Sequence, residues 1–345
     1  MPVVIVCCDG GASLGMGHVS RCLALADELR DAHACDVVFA MRDPDSAGVA
    51  AVRSRAYVVT PIVDRLDADD GPSLLALTSS HSARAIVVDV RDALSRASLD
   101  AIRASGVRVV TIDDGSERRL ASDLAFYPPV PQVEELDWTG FAGRRFAGWD
   151  WVLIAREFTA SVGQGFSSAE APHAIDILVT MGGSDPAGMT EFALEALNLQ
   201  PLPLPLAVQV VVGPAFKRAP ALAEAVARSK HAVRVSQGPD AMAPLMRASR
   251  MAVASFGVSA YELAACGVPA VHLCLTTDHA RSSSAFDRAQ IAQSLGVFAD
   301  VRPPQLADAI ARLLADPARV AEMAAKARTL IDGRGAARIA RLVAG

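Results

Sequence analysis

The sequence predicts an α/β protein made of two Rossmann-like, doubly wound domains that face a central cleft. Strand-like runs rich in Val and Ile alternate with Ala- and Leu-rich helical patterns almost throughout the chain. The 345 residues also exceed what one hydrophobic core usually holds. The alternation breaks between Tyr127 and Gln164 and then starts again. Because apolar strands separated by helices are typical of parallel sheets, each half is predicted to form one such sheet, buried on both faces.

The expected domains are residues 1–160 and 161–345, joined near Ser161–Pro172, with a last helix able to pack back on the first domain. A helix over Val19–Arg30 follows the first strand. The strands expected in the first half are Val3–Cys8, Asp36–Met41, Tyr57–Ile62, Ala85–Val90, Val107–Ile112 and Asp123–Phe126. Those expected in the second half are Ile175–Met181, Val208–Val212, Val233–Val235, Met251–Ala254 and Ala270–Leu275, and helices then run to the C-terminus.

Composition excludes several classes of protein. The formal net charge is −5 and Lys and Arg form no block, so nucleic acid is not an expected partner. The six cysteines form no CxxC pair and no metal-ligand spacing, which favours reduced thiols in the core and predicts no metal site. The apolar run at the N-terminus is too short for a signal peptide, and no stretch approaches the ~20 apolar residues that span a bilayer. A cytoplasmic protein without stable membrane insertion is expected.

The stretch Asp9–Arg21, DGGASLGMGHVSR, joins the first predicted strand to the first predicted helix. Gly15 and Gly17 leave room for a ligand beside the backbone, and N–H groups at a helix start attract anions. His18 lies at the mouth of this turn, and Arg21 follows one turn later on the same helix. A neutral imidazole there can take a proton from water, so His18 is the candidate catalytic base, with Asp9 and Arg21 as candidate substrate contacts.

Two further glycine turns follow strands in the second half. In MGGSDP the candidate ligand contacts are Gly182, Gly183 and Ser184, and Ser184 or Asp185 can cap the next helix. In SFGVSAYE the backbone amides at a helix start can bind a diphosphate without a metal ion. The residues concerned are Ser255, Gly257, Val258 and Ser259. Glu262, one turn later, can accept hydrogen bonds from two ribose hydroxyls, although a solvated helix position is the commoner role of such a residue.

Other polar residues leave alternatives open. Asp89, Asp113 and Asp114 follow first-half strands and can either bind sugar hydroxyls or cap the next helices. Asp278 and His279 lie in a predicted loop after the strand Ala270–Leu275, where His279 is a second candidate for the same cleft. The aromatic cluster Trp138, Trp149 and Trp151 fits either a sugar-stacking surface or packing at a domain junction.

Five segments together resemble a known family. They are LGMGHVSRCLALADEL, VTIDD, GWDWVLIAREF, MGGSDPAGMTEFALEAL and SFGVSAYELAACGVPAV. They are similar to the UDP-2,4-diacetamido-2,4,6-trideoxy-beta-L-altropyranose hydrolases of pseudaminic acid biosynthesis, and to related glycosyltransferase-like proteins of spore-coat and surface polysaccharide biosynthesis, both of the GT-B fold. The resemblance implies that His18 activates a water, which attacks the anomeric carbon with inversion and releases UDP. It also implies that Gly17 shapes the loop, that the amides of Gly257–Ser259 hold the diphosphate, that Glu262 holds the ribose, and that no cofactor takes part.

The chain departs from the family pattern at two places. Cys7 stands where an arginine is usual, and Asp278-His279, followed by Ser282–Ser284, stands where Asn-Gln is frequent. The main hypothesis is a hydrolase acting on a UDP-linked acetamido-deoxy sugar, a small-molecule substrate. The alternatives are a glycosyltransferase that uses the same base and a nucleotide-sugar binder without turnover, with an epimerase as a more distant option. The sequence does not indicate an oligomeric state.

Overall fold

The computed structural model describes residues 1–11, 15–62, 69–92, 94–159, 174–199, 202, 205–238 and 241–345. The chain divides into two compact units, Met1–Ala155 with Arg334–Gly345, and Arg156–Gly333. The first unit therefore ends five residues before the expected boundary, and it also contains the last helix of the chain. The expected linker at Ser161–Pro172 lies outside the described residues.

The first unit is a seven-stranded parallel sheet in the order β3-β2-β1-β4-β5-β6-β7. Its strands are β1 (Val3–Cys8), β2 (Asp36–Met41), β3 (Val58–Pro61), β4 (Ala85–Asp89), β5 (Arg108–Ile112), β6 (Leu124–Tyr127) and β7 (Arg144–Ala147). Its helices are α1 (Gly17–His33), α2 (Ala47–Ser54), α3 (Gly71–Ser80) and α4 (Arg96–Ala104), followed much later by α13 (Gly335–Ala344). The strand order reverses between β1 and β4, which is where doubly wound sheets place their ligand crevice.

The apolar face of α1 packs on this sheet because its buried residues recur at helical spacing. Val19, Cys22 and Leu29 are fully buried, as the pattern predicts. Ile339 and Val343 of α13 join the same core cluster, so the C-terminal helix closes this face of the sheet. A second cluster, which includes Leu74 and Leu99, covers the opposite face.

The second unit is a six-stranded parallel sheet in the order β10-β9-β8-β11-β12-β13. Its strands are β8 (Ile175–Thr180), β9 (Ala207–Val212), β10 (Ala232–Gln237), β11 (Ser249–Ser255), β12 (Ala270–Cys274) and β13 (Ala292–Val297). Its helices are α5 (Arg156–Thr159), α6 (Met189–Leu197), α7 (Ala219–Ala227), α8 (Met242–Arg247), α9 (Val258–Cys266), α10 (Thr277–Arg288), α11 (Pro303–Ala315) and α12 (Pro317–Leu330). The order reverses between β8 and β11, as in the first unit.

The predicted strands are all present, with ends within two residues of those expected. Strands β7 and β13 were not predicted from the sequence. The first is short and mostly exposed, within a segment rich in glycine and tryptophan, and the second contains Gln293, Ser294 and Gly296. Neither has the continuous apolar run that marks a buried parallel strand. Among the described residues, no helix combines the length and apolar character that crossing a membrane would require.

Candidate active site

The candidate base and its partner lie at the switch point of the first unit. His18 is the second residue of α1, directly after the glycine turn that follows β1, and Asp89 is the last residue of the neighbouring strand β4. The His18 Nδ1 atom lies 2.7 Å from Asp89 Oδ1. The Asp89 side chain is almost completely buried, whereas that of His18 is 17% exposed. The sheet therefore brings together two residues that lie 71 positions apart in the sequence. The histidine of this pair is partly exposed to solvent.

Arg21 extends this pair into a network of four residues. Its Nε donates to Asp89 Oδ2 at 2.6 Å and its Nη2 to Asp89 Oδ1 at 2.6 Å, a bidentate ion pair. Its Nη1 donates to Asp113 Oδ2 at 3.0 Å. The Cys22 thiol also donates to Asp89 Oδ2, at 3.5 Å. Arg21, predicted to contact substrate, forms ion pairs with the two carboxylates around His18.

The ion pair determines the protonation of the site. Burial opposes the charge on Asp89, but the Arg21 guanidinium and His18 hold the pKa of this carboxyl well below its usual range. Arg21 Nη2 lies 3.2 Å from His18 Nδ1, farther than the Asp89 carboxylate at 2.7 Å. Because an ionised carboxylate can only accept, the shorter contact favours a neutral imidazole with its proton on Nδ1, which donates to Oδ1. The lone pair is then on Nε2, which has no hydrogen-bond partner among the described residues. A histidine in this state can accept a proton from a hydroxyl group.

Asp113 is held in an unusual backbone conformation. Its φ is +54°, in the left-handed region that few residues other than glycine adopt, and its N–H donates to the Phe126 carbonyl at 2.8 Å. The side chain is 33% exposed, far more than that of Asp89. Burial raises the pKa of Asp113, and the Arg21 guanidinium offsets this only in part.

A second charged network, missed by the sequence analysis, centres on Arg42 at the end of β2. The Arg42 Nε donates to Asp70 Oδ2 at 2.7 Å and its Nη1 to Asp92 Oδ1 at 2.9 Å. Asp9 accepts the Arg42 backbone N–H at 2.9 Å and faces its guanidinium at 3.6 Å. Asp9, a predicted substrate contact, is thus committed to Arg42. The position of Arg42 directly after a parallel strand was the only signal in the sequence, since its partners lie 28 to 50 positions away in the chain.

The glycine turn after β1 has the tight geometry that its sequence predicts. Gly11 and Gly15 exchange two backbone hydrogen bonds, at 3.0 and 2.8 Å, and Gly15 has a φ of +76°. Residues 12–14 between them lie outside the described part of the chain. Gly17 begins α1, so the turn delivers His18 to the start of the helix.

In the second unit, the MGGSDP turn follows β8. Gly182 has a φ of +79°, and Asp185 is buried and accepts the N–H groups of Met189 and Thr190 at 2.9 and 2.8 Å. The Asp185 side chain therefore caps α6, which begins at Met189. This leaves Gly182, Gly183 and Ser184 as the part of the turn that is available to a ligand.

The Ser255–Glu262 turn follows β11, the strand that pairs with β8. A Cβ atom built on Gly182 would lie 3.7 Å from Ser255 Oγ, so the two turns of the second unit are neighbours. Gly257 caps α9, and Val258 and Ser259 are its first residues. N–H groups in the first turn of a helix have no acceptor within the helix and can bind an anion.

Glu262 lies one turn into α9 and is half-buried. Burial raises its pKa to about 7, the hydrogen bond from Ser259 offsets part of this effect, and the charge of Glu157 adds to it. The carboxyl group therefore titrates in the physiological range before any ligand binds.

The predicted loop at Asp278-His279 is a helix, and that expectation was wrong. Thr276 caps α10 by accepting the His279 N–H on its Oγ1 at 3.1 Å, which places both residues in the first turn. The His279 ring lies 6.3 Å from that of Phe256, next to the turn after β11. The serine-rich continuation belongs to the same helix, where Ser282 and Ser283 are buried.

Two other sets of candidates are engaged in packing. Asp114 forms a buried ion pair with Arg118 at 2.8 Å. Trp138 lies 5.2 Å from the guanidinium groups of both Arg119 and Arg145. Trp151 contacts the rings of Phe126 and Phe146. The faces of these two indoles thus contact the protein's own residues, as the packing alternative predicted for them.

Two curated proteins resemble the chain in sequence. It is 22% identical over 336 residues to the spore coat polysaccharide biosynthesis protein SpsG of Bacillus subtilis, covering 97% of this chain and 96% of SpsG. It is also 22% identical over 277 residues to an uncharacterized protein of Methanocaldococcus jannaschii, covering 78% of this chain. The match spans only 55% of the length of that archaeal relative. No known protein-family model matches the chain.

Solved structures establish the fold. MurG of Acinetobacter baumannii matches with a TM-score of 0.72 at 16% identity, covering 99% of both chains. The UDP-GlcNAc 2-epimerase of Neisseria meningitidis, bound to UDP-GlcNAc, matches with a TM-score of 0.66 at 14% identity, also over 99% of both chains. The chain has the GT-B type of fold, with two Rossmann-like α/β units, and the predicted fold class is confirmed.

Proposed function

We propose that the protein is a glycosyltransferase that moves a sugar from UDP to an acceptor hydroxyl in surface polysaccharide biosynthesis. The observation that carries the proposal is the pair of His18 and Asp89 at the switch point of the first unit, with Nε2 left as the proton acceptor. The sequence similarity to SpsG and the fold similarity to MurG both favour transfer over hydrolysis. None of the reported matches is named as a hydrolase.

The proposed reaction is a single displacement. His18 Nε2 takes the proton of the acceptor hydroxyl as its oxygen forms a bond to the anomeric carbon. The bond between that carbon and the diphosphate oxygen breaks, its electron pair leaves with UDP, and the anomeric configuration inverts. Asp89 stabilises the imidazolium that forms, because it is ionised and accepts the Nδ1 proton at 2.7 Å.

UDP is assigned to the second unit. The amides of Gly257, Val258 and Ser259 at the start of α9 face the negative charge that grows on the leaving diphosphate. Glu262 accepts hydrogen bonds from the ribose hydroxyls. A Cβ atom on Gly182 would lie 3.7 Å from Ser255 Oγ, so the turn that contains Gly182, Gly183 and Ser184 is assigned to the same site.

Hydrolysis is the second candidate, because the motif LGMGHVSR resembles that of the pseudaminic acid pathway hydrolases. The same base can take a proton from water, so the geometry of His18 suits both reactions. The two differ only in the nucleophile.

The deciding experiment measures UDP release from a panel of UDP-sugars with water alone and with added acceptor glycans. The panel includes UDP-2,4-diacetamido-2,4,6-trideoxy-beta-L-altropyranose. Transfer predicts release that depends on the acceptor, together with a glycosylated product. Rapid release in water, with the free sugar as product, would instead establish a hydrolase. Tight UDP binding without turnover under any condition would support a nucleotide-sugar binder.

A further inference from the structure

The carboxyl edge of the first sheet carries an excess of negative charge. Its ion-pair networks hold twice as many carboxylates as guanidinium groups. The carboxylates are Asp9, Asp70, Asp89, Asp92, Asp113 and Asp114, and the guanidinium groups are Arg21, Arg42 and Arg118. The net negative charge of these networks attracts cations, tolerates neutral groups and repels anions.

Asp113 differs from Asp89 and Asp114 in the exposure and the hydrogen bonding of its side chain. Asp89 accepts hydrogen bonds on both oxygens and is buried, and Asp114 is buried against Arg118. Asp113 uses Oδ2 for Arg21, while Oδ1 has no hydrogen-bond partner among the described residues. Of these three carboxylates it alone combines an accessible side chain with an uncommitted oxygen.

The backbone of Asp113 supports a role in binding. A positive φ at a residue other than glycine persists only where the surroundings enforce it, and such residues are frequent at functional sites. Asp185 offers a comparison, since its φ is +40° and its carboxylate is consumed by two helix amides. No such capping contact occupies Asp113, whose ion pair with Arg21 uses only Oδ2.

We infer that Asp113 is a specificity-determining residue, which accepts a hydrogen bond from a hydroxyl or ammonium group of the sugar, so that the first unit selects neutral or amino sugars against acidic ones. This inference rests on the proposed function, because it assumes that a nucleotide-linked sugar reaches His18. Its physical basis is electrostatic repulsion. The carboxylate of an acidic sugar, placed beside the Asp113 carboxylate, raises the free energy of the bound complex.

The test compares three nucleotide sugars that differ in charge at the sugar: UDP-N-acetylglucosamine, UDP-glucosamine and UDP-glucuronic acid. Calorimetry gives their affinities for the wild-type protein, with UDP alone as a reference. We expect the acidic sugar to bind at least about tenfold more weakly than the neutral one. Asp113→Asn should reduce this discrimination about tenfold and leave the affinity for UDP unchanged, because asparagine tolerates a positive φ and removes only the charge.

Asp36→Asn is the matched control. Asp36 is an exposed residue at the opposite end of β2, so its replacement changes the net charge equally without altering the site. The inference is overturned if the wild type binds all three sugars equally, or if Asp113→Asn and Asp36→Asn have the same effect. Failure to bind UDP at all would instead contradict the proposed function.

Discussion

At the residue scale, Asp89 decides which nitrogen of His18 acts as the base. Its ionised carboxylate holds the proton on Nδ1 and is itself held by the bidentate contact with Arg21. An asparagine at this position presents an amide N–H that favours the opposite tautomer, with the proton on Nε2. The base would then be blocked while its position is kept.

Asp89→Asn is therefore expected to lower kcat by a factor of about 10² to 10⁴, with little change in the affinity for UDP. Steady-state UDP release and calorimetry measure the two quantities, and circular dichroism checks the fold, because Asp89 is buried. Asp100→Asn, a change at an exposed residue of α4, should keep the wild-type kcat. Equal activity of the two variants would remove Asp89 from the mechanism.

The raised pKa of Glu262 predicts that UDP binding is coupled to the release of a proton. Burial raises its pKa to about 7, so the free protein holds this carboxyl largely protonated at pH 6. Ribose hydroxyls that donate to the carboxylate favour the ionised form, so binding lowers the pKa and releases a proton. The affinity for UDP should therefore rise with pH up to about 7 and then become constant.

Calorimetry in buffers of different ionisation enthalpy measures this proton directly. Most of one proton should be released at pH 6 and about none at pH 8.5. Glu262→Gln provides the control, because its amide cannot titrate and any proton that it still releases at pH 6 comes from the terminal phosphate of UDP, whose second pKa is about 6. If the wild type and Glu262→Gln release the same number of protons, the Glu262 carboxyl does not contact the ribose.

At the element scale, α13 completes the core of the first unit although it follows the whole second unit in sequence. Ile339 is fully buried and belongs to the cluster that packs α1, the helix that carries His18. Gly335 allows the close approach of α13, since a Cβ atom there would lie 2.0 Å from the Val152 carbonyl oxygen. Part of the support for the catalytic helix therefore comes from the end of the chain.

Ile339→Ala is expected to destabilise the first unit by about 2 to 5 kcal/mol, through the cavity that it leaves. Hydrogen exchange should show that β1 and α1 lose protection, whereas the second unit keeps its protection. Ile310→Ala is the matched change, because Ile310 is equally buried on α11 in the core of the second unit. It should give the reverse pattern. Loss of protection in the second unit after Ile339→Ala would contradict the assignment of α13.

Secondary structure followed from the sequence where strands are buried on both faces and where helices bury one face. The alternation of Val-rich strands with helices predicted parallel sheets, and the buried stripe of α1 was visible from Val19 to Leu29. The start of α10 was not predicted, because it depends on a single cap, Thr276, in a sequence rich in serine. Strand β7 was missed because it is an edge strand with little apolar character.

At the scale of the whole molecule, two switch points of similar construction carry the candidate site residues. In the first unit the turn follows β1, which pairs with β4. In the second unit the turn follows β8, which pairs with β11. The sequence motifs predicted the glycine turns and His18 as candidate site residues. They did not predict the hydrogen-bond partners of these residues. The pairing of His18 with Asp89, and of Arg42 with three aspartates, depends on which loops the sheet brings together.

The central claim is that His18 is the base for displacement of UDP from a sugar. The most direct measurement compares UDP release by the wild type and by His18→Ala, with the affinity for UDP determined in parallel. We expect turnover to fall by at least about 10²-fold in His18→Ala, while the affinity for UDP stays within about twofold of the wild type. Wild-type turnover in His18→Ala would contradict it.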